Sequence, residues 1–134
     1  NGLNVHLHTS KRQINNDTDI YLVDTFGETK SFLKLSKIAF MGKSIYAYGG
    51  QNPIEAARLG NRIIHGPNIE NFIEVYDFLG KQGISTKINS YKSLENLIVK
   101  FDKKKNYSQQ IIKKLAYTGN QILLNNEKEI NKYC

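Results

Sequence analysis

A single cysteine, Cys134, stands at the end of the 134-residue chain, so no disulfide can close within it. One cysteine fits a reducing compartment. With no motif around it, Cys134 reads as a chain-end residue and not as a nucleophile. No apolar run approaches the roughly 18 residues that a membrane-spanning helix needs. The start of the chain lacks the basic opening and apolar core of a signal peptide. A soluble, intracellular domain is therefore expected. Internal repeats and low-complexity linkers are missing, as is any His/Cys cluster with metal-ligand spacing. An initiating methionine is missing too. The chain opens on Asn1, which reads as a piece of a longer protein or as one whose leader was removed.

What remains is enough for one compact domain. The residues are 40% hydrophobic, which supports an ordinary core and argues against disorder. The net charge of +7 is unevenly placed. Residues 1–91 carry ten Lys/Arg against eight Asp/Glu, and residues 92–134 carry nine Lys against four acids. A basic C-terminal segment can favour an anionic lipid surface or nucleic acid. The chain is crowded throughout with Lys, Asn, Ile and Tyr, so a solvated basic face is the simpler reading. An anionic membrane surface ranks next, and no nucleic acid partner is expected.

Strand and helix patterns alternate along the chain. Residues 3–8 alternate apolar and polar, the period of a half-buried strand. Residues 19–23 form a short apolar run that ends in the turn Asp24-Thr25-Phe26-Gly27. A short helix over 29–35 offers Phe32, Leu33 and Leu35 to a core. Residues 38–41 and 62–65 read as buried strands, ended by Gly42 and by Gly66-Pro67. Between them a loop with Tyr46, Tyr48, Gly49 and Gly50 leads to a helix. Asn52 suits its cap, Pro53 its first position and Gly60 the residue past its end. An amphipathic helix over 70–82 places Phe72, Ile73, Tyr76 and Leu79 at helical spacing. A strand over 85–88 and helices near 91–103 and 107–127 complete the chain. This alternation predicts an α/β fold with a mainly parallel, Rossmann-like sheet flanked by helices. Ligands bind beyond the carboxyl ends of such strands, so the turns at 24–28, 42–52 and 65–71 are expected to share one edge.

The 49–55 loop has what a nucleotide needs. Gly49 and Gly50 allow close backbone approach, and the helix after Asn52 turns its positive end toward the loop. Glu55 can accept ribose hydroxyls. Equally, the spacing Asn52-x-x-Glu55 is that of a capping box, in which the acid folds back onto the cap N–H. Gly27 and Glu28 lie between a strand and a helix, where an acid either complements the helix end or faces a ligand. Ser44 can donate to phosphate, or simply be solvated in a polar loop. His65 ends an apolar strand and reads as structural. His6 and His8 lie two apart on one strand and would need further ligands to hold a metal. Tyr46 and Tyr48 can stack on a base, although packing is the simpler role.

Three stretches carry a resemblance. They are Val23-Asp24-Thr25-Phe26-Gly27-Glu28, then Gly49-Gly50-Gln51-Asn52-Pro53-Ile54-Glu55, then His65-Gly66-Pro67 followed by Asn71-Phe72. Their order and spacing resemble the C-terminal domain of the bacterial lipid A transferases of 3-deoxy-D-manno-octulosonic acid (Kdo). The family pattern runs D-T-x-G-E, G-G-S, G-G-H-N-P-L-E and G-P-x-x-x-N-F, matched here over about residues 19–80. The family's G-G-S appears as Gly42-Lys43-Ser44, and its histidine as Gln51. Gln51 cannot take up a proton as histidine can, and Lys43 meets a phosphate only as a flexible point charge.

The resemblance implies that residues 1–134 are one nucleotide-sugar-binding domain, the partial C-terminal half of a two-domain GT-B glycosyltransferase. The reaction implied is transfer of Kdo from CMP-Kdo to a lipid A precursor in lipopolysaccharide biosynthesis, at the cytoplasmic face of the inner membrane. It implies donor-nucleotide contacts from Gly27, Glu28, Ser44, Gly49, Gly50, Asn52 and Glu55, with Lys43, Gln51, Gly66 and Asn71 at the cleft rim. No metal and no cofactor beyond the substrate is expected. The general base, an R-H-P loop and the acceptor domain of the family have no counterpart in this sequence. The isolated chain is thus expected to be inactive, and marginal as a monomer, because family strands preceding residue 3 belong to the middle of the sheet. The alternatives are a GT-B enzyme using another nucleotide sugar, and a basic non-enzymatic module binding anionic lipid or RNA.

Overall fold

The structure, a computed structural model, describes residues 2–102 and 107–130. Cys134 and the lysines at Lys103, Lys104, Lys105 and Lys132 lie outside the described residues. The chain forms two compact units, Asn1–Phe32 and Leu33–Cys134. Every strand pair is parallel, but the strands form two separate sheets, one of two strands and one of three.

The first unit pairs β1 (Val5–Leu7) with β2 (Ile20–Leu22) in the register Val5 to Ile20, His6 to Tyr21 and Leu7 to Leu22. The expected alternation is present, yet the covered face is the polar one. Val5, Leu7, Ile20 and Leu22 are 43–54% exposed, while the rings of His6 and Tyr21 stack at 5.2 Å. Two further rings explain the inversion. His8 and Phe32 meet Tyr21 at 5.7 Å each, so the aromatic side gains partners and the aliphatic side does not. The first strand also stops at Leu7, one residue short of the expected range. His8–Ser10 form a single 3₁₀ turn that ends at Lys11, whose φ of 53° is left-handed.

Helix α1 (Thr29–Leu35) forms where expected, but Leu35 is 84% exposed and does not join a core. In the second unit β3 (Ile38–Met41), β4 (Arg62–His65) and β5 (Ser85–Lys87) lie side by side in that order. Their side chains alternate between two faces, as strand geometry requires. One face carries Ala39, Met41 and Ile63, packed with Ala56, Ala57, Tyr76, Leu79 and Ile111. These come from α2 (Ile54–Arg58), α3 (Ile73–Lys81) and α5 (Tyr107–Ile130). The other face carries Ile64 and Ile38, packed with Phe101, Leu94 and Leu97 of α4 (Tyr91–Asp102). Arg62 lies on that second face, its guanidinium 3.7 Å from the Phe101 ring centre. A strand covered on both faces reads as a continuous apolar run, which is why residues 63–64 were legible; residues 38–41 read the same way although Phe40 is exposed. The 70–82 helix divides into a 3₁₀ turn, Glu70–Phe72, and α3.

Candidate functional site

Within the second unit, the loops after β3 and β4 leave the same edge of the sheet and are bonded together. Ser44 is fully buried. Its hydroxyl donates to the Met41 carbonyl and accepts the Gly66 N–H at 2.7 Å. Gly66 passes so close that an added Cβ would run into the Ser44 carbonyl, so only glycine fits there. Asn68 adds two bonds. Its N–H donates to the Ser44 carbonyl at 2.9 Å, and its side-chain amide to that of Ile45 at 2.9 Å. Ser44 therefore joins two loops, and its hydroxyl proton is not free for a phosphate. Lys43, just before it, is exposed at a φ of 61°, a left-handed conformation that favours glycine.

The glycine loop continues along the same seam. Gly49 has a φ of 101° and Gly50 one of 65°, both suited to glycine. The Gly49 N–H donates to a Glu70 carboxylate oxygen at 2.8 Å, and the Asn71 N–H reaches the Gly49 carbonyl at 3.4 Å. The Asn71 amide nitrogen would lie 2.9 Å from a Cβ on Gly49. Gln51 is exposed, and its carbonyl accepts the Tyr76 hydroxyl at 2.8 Å. Burial pushes the Tyr76 hydroxyl up to about 12. His65 is structural, as its place in the sequence suggests. It packs on Tyr76 at 4.2 Å and its Nδ1–H bonds the Gly66 carbonyl at 2.8 Å. Burial holds its pKa below the usual histidine value.

Glu55 is exposed in the first turn of α2. The capping box is not formed. Pro53 occupies the cap position with helical dihedrals, and Asn52 Oδ1 accepts the Ile54 N–H at 3.0 Å. No hydrogen bond or ion pair engages the Glu55 carboxylate among the described residues. The helix itself is only five residues long, so its dipole adds little to the loop.

In the first unit the turn after β2 holds Gly27 at a φ of 86°. The Glu28 carboxylate accepts the Thr25 hydroxyl at 2.8 Å and lies 2.8 Å from His8 Nε2. Asp24 accepts the N–H and hydroxyl of Thr9, and this hydrogen bonding lowers its pKa. His6 stacks on Tyr21, and His8 bonds Tyr21 and Glu28. Among the described residues, no group of three or more His, Cys, Asp or Glu could hold a metal ion.

Lys43, Ser44, Gly49, Gly50, Gln51, Asn52, Glu55, Gly66 and Asn71 thus fall on the two loops after β3 and β4 or at the start of α2. Gly27 and Glu28 belong to the other unit. Tyr46 and Tyr48 are exposed, with Tyr46 against Tyr91 at 5.6 Å. Sequence reasoning missed Glu70, Asn68 and the partnership of His8 with Glu28. No local signal marks them, because each bond joins residues about twenty positions apart.

No protein-family profile matches the chain. Individual relatives do. The 3-deoxy-D-manno-octulosonic acid transferase of Rickettsia bellii is 34% identical over 80 residues, 60% of this chain and 19% of that protein. The Haemophilus influenzae enzyme of the same name is 27% identical over 119 residues, 88% of this chain and 27% of that protein. The chain therefore spans about a quarter or less of the length of these relatives. A crystal structure of the C-terminal CMP-Kdo binding domain of WaaA from Acinetobacter baumannii superposes with a TM-score of 0.75. It is 22% identical, and the match covers 84% of this chain and 58% of that one. By sequence this chain is similar to the 3-deoxy-D-manno-octulosonic acid transferases, and by fold it is similar to the C-terminal CMP-Kdo binding domain of WaaA.

Proposed function

We propose that this chain is the donor-binding part of a glycosyltransferase that moves Kdo from CMP-Kdo to a lipid A precursor. The observation that carries the proposal is Glu55. Its carboxylate is exposed and, among the described residues, unengaged, beside a glycine loop that hydrogen bonds tie down at the carboxyl edge of a parallel sheet. A carboxylate in that place is suited to accept ribose hydroxyls, and α/β sheets bind ligands at that edge. The similarity to Kdo transferases supports CMP-Kdo as the donor. In this reading Gly49, Gly50 and Asn52 shape the nucleotide pocket, and Lys43, Gln51, Gly66 and Asn71 lie at its rim. Ser44 acts indirectly, by tying the loops. The donor is itself the substrate, and the proposal includes no cofactor.

The acceptor and the catalytic base are assigned to other parts of a larger enzyme, since the relatives are several times longer. Work at the inner membrane, on the lipopolysaccharide precursor, follows from that assignment. No helix among the described residues is long and apolar enough to cross a membrane, and contact of this chain's basic C-terminal segment with an anionic lipid surface is part of the proposal.

CMP titrated into the chain by NMR tests the reading. CMP is expected to bind weakly and to shift the amides of residues 49–55, while UMP and GMP bind less well. Glu55→Gln is expected to lower CMP affinity roughly tenfold, the loss typical of hydrogen bonds to a charged acceptor. Equal CMP affinity in parent and variant removes Glu55 from the site. Preference for UMP or GMP would move the proposal to another nucleotide sugar.

A further inference from the structure

We propose that Glu70 is a specificity-determining residue, whose carboxylate fills the place at the glycine loop that a second phosphate would take and so selects nucleoside monophosphate donors over diphosphate ones. The proposal rests on the donor site lying at the 49–55 loop, and Glu70 and that loop belong to the same compact unit. Backbone amides of a glycine loop are natural partners for phosphate oxygens. Gly49 is buried at a φ of 101°, and its N–H already donates to Glu70 Oε2 at 2.8 Å. A carboxylate oxygen and a phosphate oxygen ask the same of an amide, since both are anionic acceptors. The N–H groups of Gly50 and Gln51 have no protein partner among the described residues.

The backbone around Glu70 holds the carboxylate there. Glu70 opens the 3₁₀ turn Glu70–Phe72, and the N–H of the next residue, Asn71, donates back to the Gly49 carbonyl at 3.4 Å. Gly49 thus gives one bond to this turn and receives one from it. Gly50 is equally close to the residues before the turn. A Cβ on it would lie 3.0 Å from the Asn68 carbonyl oxygen and 3.0 Å from the Ile69 Cα. Residues 68–71 therefore lie along both glycines. Among the described residues no Lys, Arg or His forms an ion pair with Glu70, so its negative charge is met only by a neutral amide. A donor with one phosphate can use the amides further along the loop. A donor with two finds the Gly49 amide taken and a like charge beside it. Repulsion at such contact distances lowers affinity roughly tenfold or more.

CMP and CDP share a base and a ribose and differ only in the second phosphate. They are titrated into the chain by NMR in buffer free of divalent metal, so that the second phosphate keeps its charge. CMP is expected to bind the parent roughly tenfold more tightly than CDP. Glu70→Gln keeps the size of the side chain and a carbonyl acceptor for Gly49 but removes the charge. It is expected to bring CDP within about twofold of CMP, mainly by strengthening CDP. Parity of the two nucleotides in the parent, or a preference for CDP, overturns the proposal without recourse to a variant. An undiminished preference for CMP in Glu70→Gln also overturns it, and assigns the preference to shape. In each of these cases the binding of CMP leaves the donor-site reading standing. If the parent binds neither nucleotide, the donor-site reading fails and the selection by Glu70 fails with it.

Discussion

Glu70 and Gly49 meet across the seam between two crossover loops, the Glu70 carboxylate accepting the Gly49 N–H at 2.8 Å. The chain thus supplies its own anion to a glycine-loop amide that a nucleotide phosphate would otherwise be expected to use. Any phosphate bound here must use other donors or displace Glu70.

Glu70→Ala removes that acceptor and leaves a partly buried N–H without a partner. The expected cost is about 1–2 kcal/mol of folding stability, measured by urea denaturation. Glu70→Gln keeps a carbonyl acceptor and should lose less than half as much. Equal losses in the two variants would show that charge, and not the bond, sets the effect.

Glu55 predicts the opposite behaviour. Its carboxylate caps nothing, so Glu55→Gln should change stability by less than about 0.5 kcal/mol, as for surface substitutions generally. A thermal melt checks this and shows that any loss of CMP binding is not a loss of fold.

Lys43 holds a φ of 61°, which costs an L-residue about 1–2 kcal/mol. Glycine relieves that strain but adds entropy to the unfolded chain. Lys43→Gly should therefore stabilise the protein by a net ~0.5–1 kcal/mol. An unchanged or lower unfolding midpoint would count against a strained Lys43.

His65 makes stability depend on acid. Burial is the main cause of its lowered pKa, and the Lys87 charge adds to it. The unfolded chain therefore takes up this proton at a higher pH than the folded one does. Stability from this group is complete above the ordinary value of 6.5. It falls as pH drops below that value, until the folded ring is protonated as well. Melts between pH 7 and 5 should show the decline, and His65→Asn should flatten it.

Much of the second unit was legible because its central strand, β4, is buried on both faces and β3 buries Ala39 and Met41 on one. Ile38 to Met41 and Ile63-Ile64 stand out as apolar runs between glycine-bearing turns. The first unit was harder. Alternation over residues 3–8 gives two faces but cannot say which is covered. The answer depends on Tyr21 and Phe32, contributed from a later strand and a helix. The spacing from Asn52 to Glu55 was compatible with a capping box. That box fails because Pro53 takes the cap position and Asn52 bonds the N–H of Ile54 instead. Glu70 was invisible because nothing near it in sequence names Gly49 as its partner.

The Ser44 hydroxyl has a further consequence, for the timescale on which the edge of the sheet opens. It donates to the end of β3 at Met41 and accepts from Gly66 of the loop after β4, and the Asn68 N–H rests on the Ser44 carbonyl. Neither loop can swing out while the other stays closed. The amides of Gly66 and Asn68 should therefore exchange with solvent deuterium at a common, slow rate, as one cooperative opening unit. A ligand that orders one loop should slow exchange in both.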